Sequence, residues 1–470
     1  MSYPSRLRAV LAALVIGGGF ALASLVHAQA PPAWLATYRE PAARLIGAAL
    51  VDHAAWRRLA ELTDAFGHRL SGSPASEAAV AWALAAMRAD GLENVRAEPA
   101  MVPRWVRGRE SATVLDPVER PLTMIGLGGS VGTPPGGLVA ETLVVTSFDE
   151  LEARASEAGG RIVVYNAPWE GYGRTVPYRA TGPSRAAKLG AVAVLVRSVG
   201  PMGLRTPHTG GTSYAPDAPK IPAAAIAAED AAALQRLADR GLRVRIRLSM
   251  EAHTEPDVQS ANVVGEIVGR ERPEEVVVVG GHLDSWDVGT GASDDAVGCI
   301  VTWEAVRLMK SLGLRPRRTV RVVLFANEEN GLRGGLAYRD RHRDALAAHV
   351  LMLEVDLGVF DMRGFGFTGD PRARETVRQV ATLLQGLDTH RVGEGGGGAD
   401  IGPSVEMAGI PAMSPTVDAE RYFAIHHTPA DTVERIEPGD LARAVASVAV
   451  MAYVVADIPD RLTPSVPAER

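Results

Sequence analysis

The stretch Val276–Gly298, "VVVVGGHLDSWDVGTGASDDAVG", runs from four consecutive valines straight into a polar loop with one histidine and four aspartates. A continuous apolar run reads as a strand covered on both faces, as in parallel sheets. The pattern returns downstream. "TVRVVLFANEE" and "VLMLEVDLG" are apolar runs ending on acids, and helical stretches such as "AVGCIVTWEAVRLMKSL", "GGLAYRDRHRDALA" and "PRARETVRQVATLLQGL" lie between or after them. From about Ser260 onward strand and helix alternate, which predicts an α/β fold with a mixed, mostly parallel central sheet flanked by helices. Such sheets bind ligands beyond the carboxyl ends of their strands. The unusual polar residues recur at those ends.

His282 follows "VVVVGG", with Asp284 two positions on and Asp294 ten beyond that. Glu328 and Glu329 follow "VVLFAN", Asp356 closes "LMLEVD", and "AIHHTPADT" supplies His426 and His427. A buried carboxylate is costly unless it is paired or bound to metal. Acids delivered to one edge by several strands repel one another without a cation, and these motifs contain no lysine or arginine to compensate. Imidazole mixed with carboxylate suits zinc, with cobalt and manganese as competitors by ligand type. With one carboxylate bridging, the set would hold two ions a few ångströms apart, as in two-metal hydrolases. Asp284, beside His282, has the chemistry of a partner that fixes the imidazole tautomer. A lone Glu-Glu or His-His pair reads as ordinary surface or core; the ordered set carries the metal reading.

The rest of the chain fits a soluble enzyme. Its 470 residues suggest about three domains. Hydrophobic residues at 47% and charged residues at 22% are ordinary for a globular protein. A net charge of -6, with no basic run, gives no footprint for nucleic acid. Arg6 and Arg8, the apolar "AVLAALVIGGGFALASLV" and the small-residue site "AQA" predict an export signal over residues 1–30. Cleavage after Ala28 and an uncleaved anchor are the alternatives, the apolar run approaching the ~18 residues of a spanning helix. No later segment is read as long and apolar enough to span. The mature protein is therefore expected to be exported, periplasmic or secreted, without stable membrane association. Cys299 is the one cysteine, so no intrachain disulfide forms, and its apolar surroundings make it a core residue.

Residues 31–120 read as a lead of the main domain, helical from about Trp34 to Leu92. Ser73 is the predicted N-cap of one helix, with Pro74 in its first turn and Gly91 at its end. "NVRAEPAMVPRWV" then reads as extended, and its prolines keep it from the centre of a sheet. Residues 121–255 read as a separate α/β insert of short β-rich pieces ("ETLVVTS", "GRIVVYNAP", "AVAVLVRSV", "KIPAAAIA", "LRVRIRLSM") and two helices. His208, isolated there, reads as a surface loop residue. Residues 256–470 complete the main domain.

Together, "GGHLDSWDVGTGASDDAVG", "VLFANEENGLRGG", "EVD" and "HHTPADT", with "RLSGSPASE" in the lead, resemble the co-catalytic zinc exopeptidases of the aminopeptidase and glutamate carboxypeptidase family. The resemblance covers the chain after the signal. It implies the zinc exopeptidase fold, a protease-associated-type insert and two zinc ions per chain. By motif, His282 resembles the ligand of one zinc, with Asp356 completing that site, and Asp294 the carboxylate bridging both. Glu329 and His427 resemble the ligands on the other side, and Glu328 the general base. His427 is preferred to His426 because the family's ligand directly precedes the Thr of the "HT" pair. Asp400, in "GGGGADIGP", lies where relatives line the substrate pocket; by itself it equally reads as the polar end of a flexible glycine loop.

The implied reaction is hydrolysis of a terminal peptide bond in short peptides. Metal coordination makes hydroxide available near neutral pH, and Glu328 is expected to take the proton and pass it to the leaving amine. The resemblance favours release of a C-terminal residue, especially from dipeptides, with an aminopeptidase as the alternative. Arg333 and Arg421 could meet a substrate carboxylate, and Asp400 or Glu394 an amine. Receptor-like relatives that have lost catalysis and single-zinc glutaminyl cyclases share the fold, but every ligand of the two-metal set is present here. A serine hydrolase would need a GxSxG elbow after a strand, which is lacking. Homodimerisation is implied by the relatives.

Overall fold

The computed structural model describes residues 32–462, so the predicted export signal over 1–30 lies outside the described residues. Two eight-stranded mixed sheets with covering helices make an α/β fold. The first sheet runs in the order Glu93–Val106, His253–Ile267, Arg318–Phe325, Arg272–His282, His349–Glu354, Ala412–Thr416, Gly364–Thr368, Arg391–Glu394. The valine run lies at its centre: Val277 pairs in parallel with Val320 on one side and Leu351 on the other, and Val279 with Val322 and Leu353. Ala412–Thr416 continues the parallel block, and the outer pairings with His253–Ile267 and Gly364–Thr368 are antiparallel. Four parallel strands therefore present their carboxyl ends along one edge.

Helices cover both faces of this sheet, which is why its central strands are apolar throughout. On one face Arg39–Val51, Ala54–Phe66, Val297–Ser311 and Pro438–Asp457 bury a single large cluster that includes Cys299, Trp303 and Met451. On the other, Tyr338, Leu346 and Ile401 pack against Val276, Val278 and Phe325. Helix Pro438–Asp457 is long and apolar enough to cross a membrane, which corrects the expectation that no later segment would be; it is 78% buried within the fold as a core helix. The close approach of helix Val297–Ser311 to the central strand requires glycine at 281, where a Cβ would lie 2.4 Å from Asp295 Oδ2 and 3.0 Å from the Cys299 nitrogen.

The lead follows the sequence closely. Helix Pro74–Ala89 starts at Ser73, whose hydroxyl accepts from the Ser76 N–H, and gives way to Gly91 at φ +76°. The proline-bearing strand Glu93–Val106 is an edge strand. It pairs antiparallel with His253–Ile267 down to Val106–His253, and beyond that point both chains enter the second sheet. The strands of that sheet lie between Glu110 and Met250, around a parallel centre of Leu138–Val145, Ile162–Tyr165, Ala193–Arg197 and Ala223–Ile226. It has apolar clusters of its own on both faces.

Candidate metal centre

Four of the residues marked in the sequence sit at or just past carboxyl ends of the parallel block. His282 is the last residue of its strand, Glu328 and Glu329 follow Phe325, and Asp356 follows Glu354. Asp294 lies in the turn Ala292–Ala296, ahead of helix Val297–Ser311. His426 and His427 follow the short helix Ala419–Phe423. The fold converges these side chains on Asp294. Its Oδ1 is 3.2 Å from His282 Nε2, which also lies 3.3 Å from Asp356 Oδ1. Its Oδ2 is 3.2 Å from His427 Nε2, which lies 3.1 Å from Glu329 Oε2. One carboxylate thus separates two pairs, His282 with Asp356 and His427 with Glu329.

His426 is also near, its Nε2 3.6 Å from Asp294 Oδ2. Its ring stacks on His427 at 3.5 Å and is edged by Tyr172 and Phe423. Proximity alone groups Asp294 with both histidines, and His282 with Asp295 and Asp356. Hydrogen bonding separates these candidates. Asp295 is consumed by the backbone: Oδ2 accepts from the His282 N–H at 3.0 Å and Oδ1 from the Gly298 N–H at 3.0 Å. His427, unlike His426, also meets a second carboxylate.

The outer contacts fix the imidazoles. His282 Nδ1–H donates to the main-chain carbonyl of Asp284 at 3.0 Å, leaving Nε2 to face Asp294 and Asp356. Asp284 meets the imidazole through its carbonyl; its carboxylate stands 3.6 Å from Nδ1 and accepts from the Glu328 N–H at 3.1 Å and the Ser71 hydroxyl at 2.9 Å. Glu329 Oε1 accepts from the Trp286 N–H at 3.2 Å. On the far side, the Thr209 carbonyl accepts from His427 Nδ1–H at 3.3 Å and from Arg179 Nη1 at 3.0 Å. The 3.3 Å approach of Arg179 Nη1 to His427 Nδ1 is therefore two donors sharing one acceptor.

Three supporting residues escaped the sequence reading. Asp431, within "HHTPADT", accepts from the Ser293 N–H and hydroxyl at 2.7 and 2.8 Å and from the Asp294 N–H at 3.1 Å, so it holds the turn that carries the bridging carboxylate. Arg69, fully buried, donates to the carbonyls of Gly67, Leu283, Thr290 and Gly291 at 2.7–3.0 Å. It stands in "RLSGSPASE", which marks a helix start and part of the resemblance but no charge for the site, and it supplies the buried positive charge missing from the strand-end motifs. His208 is 1% exposed, not a surface residue, because its Nδ1–H reaches the His426 carbonyl at 2.8 Å; burial pushes its pKa down to about 4 and keeps it neutral.

Asp400 is 1% exposed, with its N–H directed to Glu354 and no hydrogen bond to either carboxylate oxygen among the described residues. Burial, then the Glu354 charge, raises its pKa well above the carboxylate range. Arg333 is exposed, Arg421 is exposed beside Asp440, and exposed Glu394 is engaged by Arg374 at 2.7 Å.

The electrostatics show what the cluster needs. Burial and then the Asp294 charge push Glu329 up to about 7. Burial opposes a charge on His427, yet Glu329 and Asp294 outweigh it and hold its pKa up at about 9. Without a cation, protons must do the work of neutralisation. Asp294 Oδ2 is buried and makes no well-formed hydrogen bond although His427 Nε2 is 3.2 Å away. That placement fits two donors facing a shared ion rather than each other, and the mixed nitrogen and oxygen set fits zinc.

The profile of peptidase family M28 matches residues 262–452, which span the histidines and acids gathered about Asp294. Carboxypeptidase Q of Mus musculus is 46% identical over 431 residues, covering 91% of this chain and 92% of that protein. Carboxypeptidase Q of Homo sapiens is 47% identical over 407 residues, covering 87% and 86%. Among solved structures, a peptidase M28 precursor from Shewanella amazonensis SB2B superposes with a TM-score of 0.89 at 34% identity, covering 92% of this chain and 100% of that one.

Proposed function

The chain belongs to peptidase family M28, and from that premise we propose that it is a zinc exopeptidase of the carboxypeptidase Q type, releasing the C-terminal residue of short peptides and above all of dipeptides. The observation that carries the two-zinc reading is the division of Asp294 between two histidine–carboxylate pairs, and the similarity to carboxypeptidase Q supports the C-terminal direction. His282, Asp356 and Asp294 would hold one zinc, and His427, Glu329 and Asp294 the other. Two zinc ions so held supply an acidified water and a Lewis acid for the scissile carbonyl.

The chain's own residues do the rest. The Glu328 carboxylate has no hydrogen bond or ion pair among the described residues, while its N–H is fixed by Asp284. It is therefore free to take the proton of the attacking water and return it to the leaving amine. Asp284 and Thr209, through their carbonyls, keep both imidazoles aimed by Nε2. Asp431 and Arg69 hold the two ends of the loop between His282 and Asp294. Asp400, an acid without a partner near this cluster, is the candidate for contact with the peptide. We further propose that residues 121–255 form a protease-associated-type insert, that residues 1–30 direct export, and that the mature enzyme pairs as a homodimer.

Product identification by mass spectrometry tests the reading. Zinc-loaded mature protein is offered a free tripeptide, its N-acetylated and C-amidated forms, and a free dipeptide. Loss of the last residue, surviving acetylation, is expected, together with dipeptide cleavage. Loss of the first residue, surviving amidation, would make it an aminopeptidase, and no cleavage with metal bound would sink the enzyme reading.

A further inference from the structure

The second sheet reaches into the metal centre. The segment around Thr209 is tied to that sheet by the Gly128 N–H to the Gly210 carbonyl at 3.0 Å and the Thr212 N–H to the Gly128 carbonyl at 2.8 Å. From there it grips the histidine loop at two consecutive residues. The Thr209 N–H donates to the His427 carbonyl at 2.9 Å, His427 Nδ1–H donates back to the Thr209 carbonyl, and His208 Nδ1–H donates to the His426 carbonyl. Arg179, from helix Tyr172–Ala180 of the same region, is 5% exposed and presses on Gly210, where a Cβ would lie 2.2 Å from the guanidinium. It ties the Thr209 carbonyl to the Tyr172 hydroxyl, which accepts from Nη2 at 2.7 Å. The Tyr172 ring in turn stacks on Phe423 and meets His426 edge-on.

We infer that the second sheet is a positioning element of the metal centre: the Thr209 carbonyl, held by Arg179, sets the tautomer and aim of His427, so the His427–Glu329 side is complete only with the two sheets docked. This rests on the two-zinc reading above. The His282 loop also rests on this sheet, with the Trp286 ring against Gly128 and Asp287 paired with Arg107, but among the described residues none of the second sheet bonds to His282 or Asp284, and the His282 tautomer is set from within its own loop. Loosening the grip should therefore weaken one metal site and spare the other. A residue that merely stabilised the fold would weaken both or neither.

The test is calorimetric zinc titration of the metal-free full chain, wild type against Arg179→Met, Arg179→Lys and His208→Ala, with steady-state kinetics alongside. Wild type is expected to bind two zinc ions. Arg179→Met and His208→Ala keep the Thr209 carbonyl and loosen only its mounting, so they should leave one site unchanged and weaken the other by up to about 10-fold, the low end for an outer-shell change. Arg179→Lys should recover part of the loss, because an ammonium can still donate to the Thr209 carbonyl. Equal weakening of both sites, or no weakening, overturns the inference. So does a rise in KM alone with both metals bound, which would make Arg179 a substrate contact. His208→Ala keeps Arg179 and deletes the bond to His426 together with the buried ring that packs on Gly200, so it decides the matter if Arg179→Met does not fold. A wild-type chain with a single zinc site would overturn the two-zinc reading first and this inference with it.

Discussion

The two sides of the metal centre use the same donors, one imidazole and one carboxylate each about the shared Asp294, yet they are held in place differently. His282 takes its orientation from the carbonyl of Asp284, two residues along the same loop. His427 takes its orientation from the carbonyl of Thr209, 218 residues away in the loop between strands Ala193–Arg197 and Ala223–Ile226 of the second sheet. The first side is set once the central strands and their loops have folded. The second also needs the sheets to be docked. Chemical equivalence of two ligand sets therefore does not make them equally robust, and loosening the segment around Thr209 reaches the His427 side only.

The largest effect comes from removing what the two sides share. Asp294→Ala deletes the carboxylate between them and leaves both histidines without their common partner. We expect zinc content after desalting to fall from two ions to one or fewer, with activity at background, as read by elemental analysis and peptide hydrolysis. Retention of both ions would show that Asp294 bridges nothing and that the two sides are independent sites.

Glu328→Gln removes a group that belongs to neither side. Zinc content should stay at two while kcat falls about 10²- to 10⁴-fold, the range for loss of a positioned general base. Normal turnover in the fully metallated variant would move the proton transfer to another residue.

Arg69→Met tests the internal anchoring of the His282 side. It strips four buried carbonyls of a shared donor and the buried acids of a cation, a loss of about 3–5 kcal/mol in stability. The urea midpoint of the metal-free protein reads this directly. Of its carbonyl partners Leu283 adjoins His282 whereas Thr290 and Gly291 lead into the shared Asp294, so in the zinc titration both sites should weaken, the one spared by His208→Ala the more. If both variants weaken the same site most, the contrast between a locally held and a distantly held side fails.

The same contrast explains what could be read from the sequence. His282, Glu328, Glu329 and Asp356 were legible because each ends or closely follows an apolar strand, and parallel strands align those ends by rule; Asp294 lies farther along the same loop and was legible only as part of the acidic segment after the valine run. The valine run and the prolines of Glu93–Val106 likewise placed a central and an edge strand. What stayed hidden acts through the main chain or across long separations. Thr209 contributes a carbonyl, which every residue has, and nothing in "TPHTGG" marks it. His208 looked like a loop residue because the burial that defines it is supplied by the histidine loop, which is distant in sequence. Arg69 was in plain view, but four carbonyl acceptors leave no pattern of residue types to match it. The apolar character of Pro438–Asp457 was overlooked for a related reason: a helix apolar all round is either a span or a core element, and only its neighbours decide.

The smallest expected effect is the most discriminating. Asp284→Asn removes a charge beside His282 yet leaves the main-chain carbonyl that holds Nδ1–H. The asparagine oxygen can still accept from the Glu328 N–H, and the Ser71 hydroxyl can turn to accept from the new amide, so the outer contacts survive in kind. Zinc affinity on the His282 side should fall by less than about 10-fold, the low end for an outer-shell change, with kcat changed little. A loss of about 100-fold would mean that the carboxylate, at 3.6 Å, governs His282 after all. The two sides would then differ in the kind of partner, charge against carbonyl, and no longer only in how far along the chain that partner lies.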